Sequence, residues 1–363
     1  MKIVHTYSLN MIGSQDDKDY FLLKWGLLPL AKAGHEVTLI CGSSTKKRKE
    51  YIWNDVKIIE LPVMINFTDS TRILKGFFRE LMKIKVDIFH SHHYCSFIPE
   101  LTLLVGKIRQ KPVFLSLHNS FLEGGTIAKS LGLIYLIFLQ LFIPFYDKTF
   151  FVSHYLKNKK RFLMCKNKTV IYNYFSLPPA MNIKRKNNTI LFMGRIMHQK
   201  GIDILIKALS LVKKDIFNIH LNVAGSGPQK YIDELKRLVI KLDLSENVTF
   251  HGFLEGKKWE QYYSNSVLVV PSRDEGFGNV VIEGMLAEIP IIVSNKGSLP
   301  EASGGKGIVF NINSPKDLSN KIISLFNAPK YCQKLVYDAK IYALKFTDES
   351  KGKDVERLLR GFE

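Results

Sequence analysis

Short apolar strands alternate with helix-patterned stretches along this chain, stop once, and then start again. Lys2–Thr6, Glu36–Cys41, Val56–Leu61, Ile88–Ser91, Val113–Leu117, Thr149–Val152 and Thr169–Ile171 each read as a strand. Tyr20–Ala33 has helical spacing and ends at Gly34, a common helix stop. Short apolar strands between helices predict a parallel sheet covered on both faces. The break falls at Asn173–Asn188, a polar stretch holding Pro178-Pro179 and Lys184-Arg185-Lys186, which reads as a linker. Strands resume at Thr189–Met193, Ile219–Ala224, Val248–Phe250, Val267–Val270, Ile291–Val293 and Gly307–Phe310. Helices are predicted over Gly201–Leu211, Gln229–Ile240, Trp259–Tyr263, Val280–Ala287 and Asp317–Phe326, followed by a helical tail. At 363 residues the chain exceeds one comfortable core. Two α/β domains are expected, at 1–176 and 177–343, with a last helix of about 344–363 packing back on the first. Such halves leave a cleft, and ligands bind at the C-terminal ends of parallel strands.

The formal net charge of +19 favours anionic partners. Lys46-Lys47-Arg48-Lys49 and the basic run around Lys157–Arg161 read first as solvated surface. A nucleic-acid binder should show a basic stripe with interleaved aromatics, and none is evident. The four cysteines form no C-x-x-C pair and suit a reducing compartment. The N-terminus reads as a strand rather than a signal peptide. Leu131–Phe145 is nearly all apolar, shorter than the roughly twenty residues of a membrane span. It is either a core helix or a helix lying on a membrane surface.

The motif richest in chemistry is Ser272-Arg273-Asp274-Glu275-Gly276-Phe277-Gly278-Asn279, which follows a strand and opens a helix carrying Glu283. Its glycines let backbone approach a ligand, and the first amides of the helix suit sugar hydroxyls or phosphate oxygens. Two carboxylates at different depths can accept from two sets of hydroxyls, although a loop and a helix glutamate are ordinary by themselves. Gly194-Arg195 and Lys200-Gly201 lie in another loop after a strand. Arginine offers a planar fork and lysine a compact charge to phosphate. Gly225-Ser226-Gly227 lacks the full dinucleotide fingerprint and could be only a structural turn. His90 and His92 alternate on a strand with no carboxylate or cysteine beside them, so metal is not expected. Asp17-Lys18-Asp19 reads as a helix-start charge cluster.

Glu275 and Glu283, spaced E-x7-E around Gly-Phe-Gly, resemble the signature of retaining GT-B glycosyltransferases, the large GT4-like group also called glycosyl transferases group 1. The G-R-x4-K-G pattern at Gly194–Gly201 is similar to that family's as well. The resemblance spans nearly the whole chain and is most specific over 189–301. It implies that Glu275 contacts the transferred sugar and Glu283 the ribose. Gly276, Phe277, Gly278 and Asn279 would lie at the donor, with Gly225 and Gly227 near the nucleotide and the backbone at Phe253 flanking the base. His118 corresponds to a histidine near donor sugar and acceptor, His92 to a histidine beside the acceptor, and Ser153 to a strand-end serine. Where the family has Gly-Gly after its first strand, this chain has Gly13-Ser14, and the extra Cβ puts that loop's geometry and acceptor choice in question.

The fold so implied is α/β of GT-B architecture, two Rossmann-like domains facing across a cleft. The function implied is transfer of a sugar, with retained configuration, from a nucleoside-diphosphate sugar to a glycan, lipid-linked saccharide or glycolipid acceptor. Arg195, Lys200 and the helix start at Gly278 would stabilise the leaving diphosphate, so neither cofactor nor divalent metal is expected. The basic charge and the apolar 131–145 run suggest a cytoplasmic protein at an anionic membrane surface, with nucleic acid not a partner. The alternatives are a non-catalytic nucleotide-sugar-binding protein and a GT-B phosphorylase or epimerase.

Overall fold

The computed structural model describes residues 1–10, 22, 25–43, 45–66, 72–92, 97–118, 141–165, 167–181, 184–254, 256 and 258–347. Gly13, Ser14, the Asp17–Asp19 cluster, most of the 131–145 run and the tail from 348 onward lie outside these residues. The chain divides into two compact units between Tyr174 and Phe175.

In the first unit the strands are β1 (Lys2–Asn10), β2 (Glu36–Ser43), β3 (Lys49–Trp53), β4 (Val56–Asn66), β5 (Arg72–Leu74), β6 (Ile88–His92), β7 (Val113–Leu117), β8 (Lys148–Phe151) and β9 (Lys168–Val170). Their order is β3-β4-β2-β1-β6-β7-β8-β9, with β5 added to β4. All pairings from β4 to β9 are parallel. The strand β7 is buried at every position, as expected for a strand with both faces covered.

Three features of this unit depart from the sequence reading. Strands β3 and β5 pair antiparallel with β4. The basic run at Lys46–Lys49 leads into β3, where Arg48 pairs with Glu50 at 2.6 Å and Glu80 at 2.9 Å. A half-exposed, charged edge strand lacks the continuous apolar run that marks the interior ones. Gly26, in the left-handed region at φ 78°, interrupts the helix predicted over Tyr20–Ala33 just ahead of the helix Leu27–Lys32; before it Leu22 is helical, and residues 20, 21, 23 and 24 lie outside those described.

The second unit holds β10 (Thr189–Met193), β11 (His220–Ala224), β12 (Val248–Gly252), β13 (Val267–Val270), β14 (Ile291–Ser294) and β15 (Ile308–Phe310). The order is β12-β11-β10-β13-β14-β15, parallel throughout. Counted within the unit this is 3-2-1-4-5-6, the doubly wound order that binds ligands where the chain reverses direction across the sheet. That switch point lies between β10 and β13. The helix Ile202–Val212 packs Ile202, Leu205, Ile206 and Leu209 into the same core as Val267 and Val269 of β13. Part of the predicted linker is bound to this unit: Arg185 donates to the carbonyls of Ala287 and Glu288, and Ser266 Oγ donates to the carbonyl of Lys186.

Candidate active site

Two loops of the second unit leave neighbouring strands at the switch point. One follows β10 and carries Gly194, Arg195 and Lys200; the other follows β13 and carries Ser272 to Gly278. Lys200 Nζ donates to Glu275 Oε1 at 2.5 Å, across a sequence separation of 75 residues. Ser272 Oγ donates to the same oxygen at 2.9 Å. Both partners of the pair are largely buried, at 17% and 12% side-chain exposure, so solvent screens their attraction only weakly. Arg195 is exposed on the loop leaving β10.

What holds the loops together was not legible in the motifs. Arg273 forms a fork onto Asp203, with nitrogen–oxygen distances of 2.9 and 2.8 Å, and also donates to the carbonyl of His198. Its own amide donates to the carbonyl of Gln199 at 2.7 Å, and Gln199 Nε2 donates to the carbonyl of Asp274 at 2.9 Å. Burial alone would raise the Asp203 carboxyl pKa; the Arg273 hydrogen bonds and charge outweigh it and hold the group below its ordinary value. The same pairing pushes the Arg273 guanidinium up. Gly201 sits at φ 69°, and a Cβ there would lie 1.9 Å from the carbonyl oxygen of Pro271. A side chain at 201 would thus wedge the two loops apart. On the other flank Ser298 Oγ and its amide both donate to the carbonyl of Glu275, at 3.1 and 3.2 Å.

Glu283 lies one helix deeper, in Asn279–Leu286, and is 6% exposed. Tyr262 Oη donates to Oε2 at 2.8 Å and Lys258 Nζ to Oε1 at 3.2 Å. Gly278 precedes the helix at φ 85° and, as glycine, brings no side-chain cap of its own. Asn279 is the first helical residue. The Phe277 ring goes into the unit's core against Phe175 and Phe346, so what this residue presents beyond the core is backbone.

The Gly225–Gly227 turn has a packing reason. A Cβ at Gly225 would lie 1.8 Å from the carbonyl oxygen of Gly194, and one at Gly227 would lie 1.9 Å from that of Ile196. The glycines let the turn pass under the β10 loop. Phe253 is 67% exposed beyond β12. His251 Nε2 donates to Asn222 Oδ1 at 2.8 Å, and Asn222 Nδ2 donates to Asn265 Oδ1 at 2.7 Å.

In the first unit, Ser153 is buried and caps the short helix His154–Lys157, its Oγ accepting from the Leu156 amide at 3.1 Å. His92 ends β6 and His118 follows β7. His92 Nδ1 meets His118 Nε2 at 3.0 Å, and His92 Nε2 meets His5 Nδ1 at 2.8 Å. His5 is a member of this cluster that the motifs did not reveal; it is aligned with His90 by the pairing of β1 with β6. His90 Nε2 pairs with Ser116 Oγ at 2.7 Å. Burial lowers the His90 pKa to about 3, and burial followed by the charge of His90 drives that of His5 well down. Trp25 stacks on both His92 and His118. Among the described residues, ligand atoms of His5, His90 and His92 lie within 4.8 Å of one another. A metal there would have to displace the hydrogen bonds just given, although three imidazole nitrogens are an accepted zinc ligand set.

The apolar 131–145 run is described only at its end, where Ile143 is buried and Leu141 and Phe145 are exposed. Among the described residues no helix is long and apolar enough to cross a membrane.

The profile of the family described as glycosyl transferases group 1 matches residues 176–342, and that of glycosyltransferase family 4 matches residues 29–177. An uncharacterised glycosyltransferase of Methanocaldococcus jannaschii is 32% identical over 271 residues, covering 73% of this chain and 72% of the relative. The O-antigen biosynthesis glycosyltransferase WclY of Escherichia coli is 31% identical over 49% of this chain and 52% of its own. Among solved structures, HepE of Anabaena in complex with UDP and glucose superposes with a TM-score of 0.75 at 16% identity, over 99% of this chain and 100% of its own. Sucrose-phosphate synthase of Thermosynechococcus elongatus gives 0.74 at 21% identity, over 99% and 98%. These likenesses show a GT-B fold.

Proposed function

The chain belongs to the group 1 glycosyltransferases, and on that premise we propose that it moves a sugar from a nucleoside-diphosphate sugar to a glycan, lipid-linked saccharide or glycolipid acceptor with retained anomeric configuration. The observation that carries this reading is the Lys200–Glu275 pair at the switch point of the second unit. A cation and a carboxylate side by side match a donor whose phosphate and sugar hydroxyls are themselves neighbours. Lys200 would neutralise the leaving diphosphate together with Arg195 and the helix start at Gly278 and Asn279. Glu275, relieved of part of its bond to Lys200, would accept from sugar hydroxyls. Glu283 would accept from the ribose, oriented by Tyr262 and Lys258. Backbone at Gly194, Gly225, Gly227 and Gly276 would border the nucleotide, and Phe253 offers an exposed ring and backbone to the base.

The first unit would take the acceptor, with His92, Ser153 and the Gly13-Ser14 loop on that side and His118 at the reacting sugar. The acceptor hydroxyl would attack on the face the diphosphate leaves, its proton passing to the departing phosphate oxygen. Because cations and amides already serve the phosphates, no divalent metal is required in this scheme. HepE in complex with UDP-glucose and the O-antigen role of WclY support a nucleotide-sugar donor and a glycan acceptor. The basic charge supports an anionic membrane surface as the place of work.

A screen of intact donors, read by release of nucleoside diphosphate in the presence of excess chelator, tests the scheme. Acceptor-dependent release from one donor is expected. Release that needs an added divalent ion would remove the metal-free step, and release from none of the donors would remove the transfer reading. Inversion at the anomeric carbon in the product's NMR spectrum would overturn retention.

A further inference from the structure

The helices Phe77–Lys83 and Ile98–Ile108 of the first unit pack against one another, and the second also packs on β1, β6 and β7. Arg109 joins them, its guanidinium donating to the carbonyls of Leu81 and Ile84 at 2.6 and 2.8 Å. Phe77 and Leu81 of the first helix are buried, as are Ile98, Leu103 and Val105 of the second. Each helix also leaves a second apolar pair, one turn apart, in solvent. Phe78 and Met82 are 44% and 38% exposed, and Leu104 and Ile108 are 51% and 54% exposed. Residues four apart share a helix face. Phe97, exposed at the head of the second helix, and half-buried Leu101 continue the line to Leu104 and Ile108 at helical spacing. These are two stripes on neighbouring helices, not scattered side chains.

The same surface is positive. Between Lys75 and Lys111 stand seven lysines and arginines against three acidic residues. Two of those three are engaged elsewhere: Glu80 accepts from Arg48 at 2.9 and 3.1 Å, and Asp87 accepts from the Lys2 amide at 2.6 Å. The third, Glu100, has one carboxylate oxygen buried. The exposed Lys75, Arg79, Lys83 and Lys85 have no ion pair among the described residues. An ordinary apolar partner surface would strip water from these cations and give nothing back. A second copy of the same face would set like charge against like. An anionic lipid surface satisfies both features, since its phosphates pair the cations and its acyl boundary takes the apolar side chains.

We propose that the helices Phe77–Lys83 and Ile98–Ile108 form the face that seats this chain on anionic lipid. Phe78, Met82, Leu104 and Ile108 enter the headgroup boundary, and Lys75, Arg79, Lys83 and Lys85 meet lipid phosphates. This rests on the reading that the chain works at a membrane and names the surface responsible, one distinct from the apolar 131–145 run. The longer stripe begins at Phe97, shortly after His92 ends β6, and runs back along the helix. A lipid-linked acceptor held at this face therefore has its saccharide toward the strand ends at which His92 and His118 stand.

Flotation of the full chain with lipid vesicles tests the face. Binding is expected to phosphatidylcholine vesicles with added phosphatidylglycerol, with little to phosphatidylcholine alone and with loss at high salt. Arg79→Ser/Lys83→Ser/Lys85→Ser should weaken partition about a hundredfold, at about fivefold per cation. Phe78→Ser/Met82→Ser should weaken it roughly tenfold or more. Lys214→Ser/Phe217→Ser, an exposed pair in the second unit, should leave it unchanged. Thermal melts check that each variant is folded; should the apolar variant not fold, the charge variant decides. No partition onto either vesicle overturns this proposal together with the membrane reading. Anionic binding that survives both face variants overturns this face and leaves the membrane reading standing. Equal binding to the two vesicles overturns the pairing of cations with lipid phosphate. Self-association abolished by Phe78→Ser/Met82→Ser would give the face to a second copy and overturn the proposal.

Discussion

The two units share one strand order around their first strand, β4-β2-β1-β6-β7-β8 in one and β12-β11-β10-β13-β14-β15 in the other. They fill the corresponding region with opposite chemistry. Beside the β1–β6 junction lie neutral imidazoles bonded to one another, with two of their pKa values driven down by burial. Beside the β10–β13 junction lie compensated charges, Lys200 with Glu275 and Arg273 with Asp203. One scaffold thus supports two ways of keeping polar groups out of water. Neutral hydrogen bonds suit recognition of hydroxyls, whereas paired charges suit a ligand that is itself charged.

The largest expected effect separates the two by activity. Lys200→Ala should lower kcat by about 10²–10³-fold, the size of losing one donor aimed at developing charge. His118→Ala should cost about fivefold, since a neutral hydrogen bond contributes about 1 kcal/mol. Steady-state kinetics on the donor found by the screen checks both, and equal losses would erase the contrast.

Next comes a backbone comparison by thermal melts. Gly201→Ala puts a Cβ 1.9 Å from Pro271 oxygen at φ 69°, and should destabilise by roughly 3 kcal/mol or more while displacing Lys200. Gly34→Ala, at φ 85° with nothing within 4 Å of the added atom, should cost only about 1 kcal/mol. A Gly201→Ala protein as stable and active as wild type would show that the loops are not held as tightly as described.

The smallest effect is in pH. A histidine whose folded pKa is depressed leaves stability intact above its unfolded value of about 6.5, and stability is lost below that as the unfolded chain takes up protons first. For His90, depressed to about 3, the loss at pH 5 is on the order of 1–2 kcal/mol. Asp203 is a carboxyl depressed in the fold; its contribution is full above about pH 4 and disappears as the pH falls through the folded value. Hydrogen exchange at pH 7 and pH 5 should therefore show peptides of β1 and β6 opening before those of the 198–203 and 272–275 loops. The reverse order would assign the acid-sensitive part to the charged unit.

Much of this was legible in the chain. The interior strands are apolar runs, and parallel strands buried on both faces leave that mark in sequence. The glutamates, the loop cations and the glycines pointed to the two loops that the structure brings together, through their chemical types. Ser298, Asp203 and His5 did not announce themselves. Each is common in a loop, a helix or a strand, and each acquires its role from a partner far along the chain. The Gly225–Gly227 turn and Phe277 show the converse, since residues quoted for a ligand also have packing to explain them.

Sequence by itself determined the order of strands and helices, the break between the two α/β halves, and the kinds of side chain on each loop, because periodicity and charge are local properties. Only the tertiary structure decided that β1 lies against β6 and β10 against β13. Nothing local in a parallel strand names its neighbour; that choice follows from right-handed crossovers and from burying helices on both faces of the sheet. It is this choice that sets Lys200 on Glu275 and joins three separate histidines into one series.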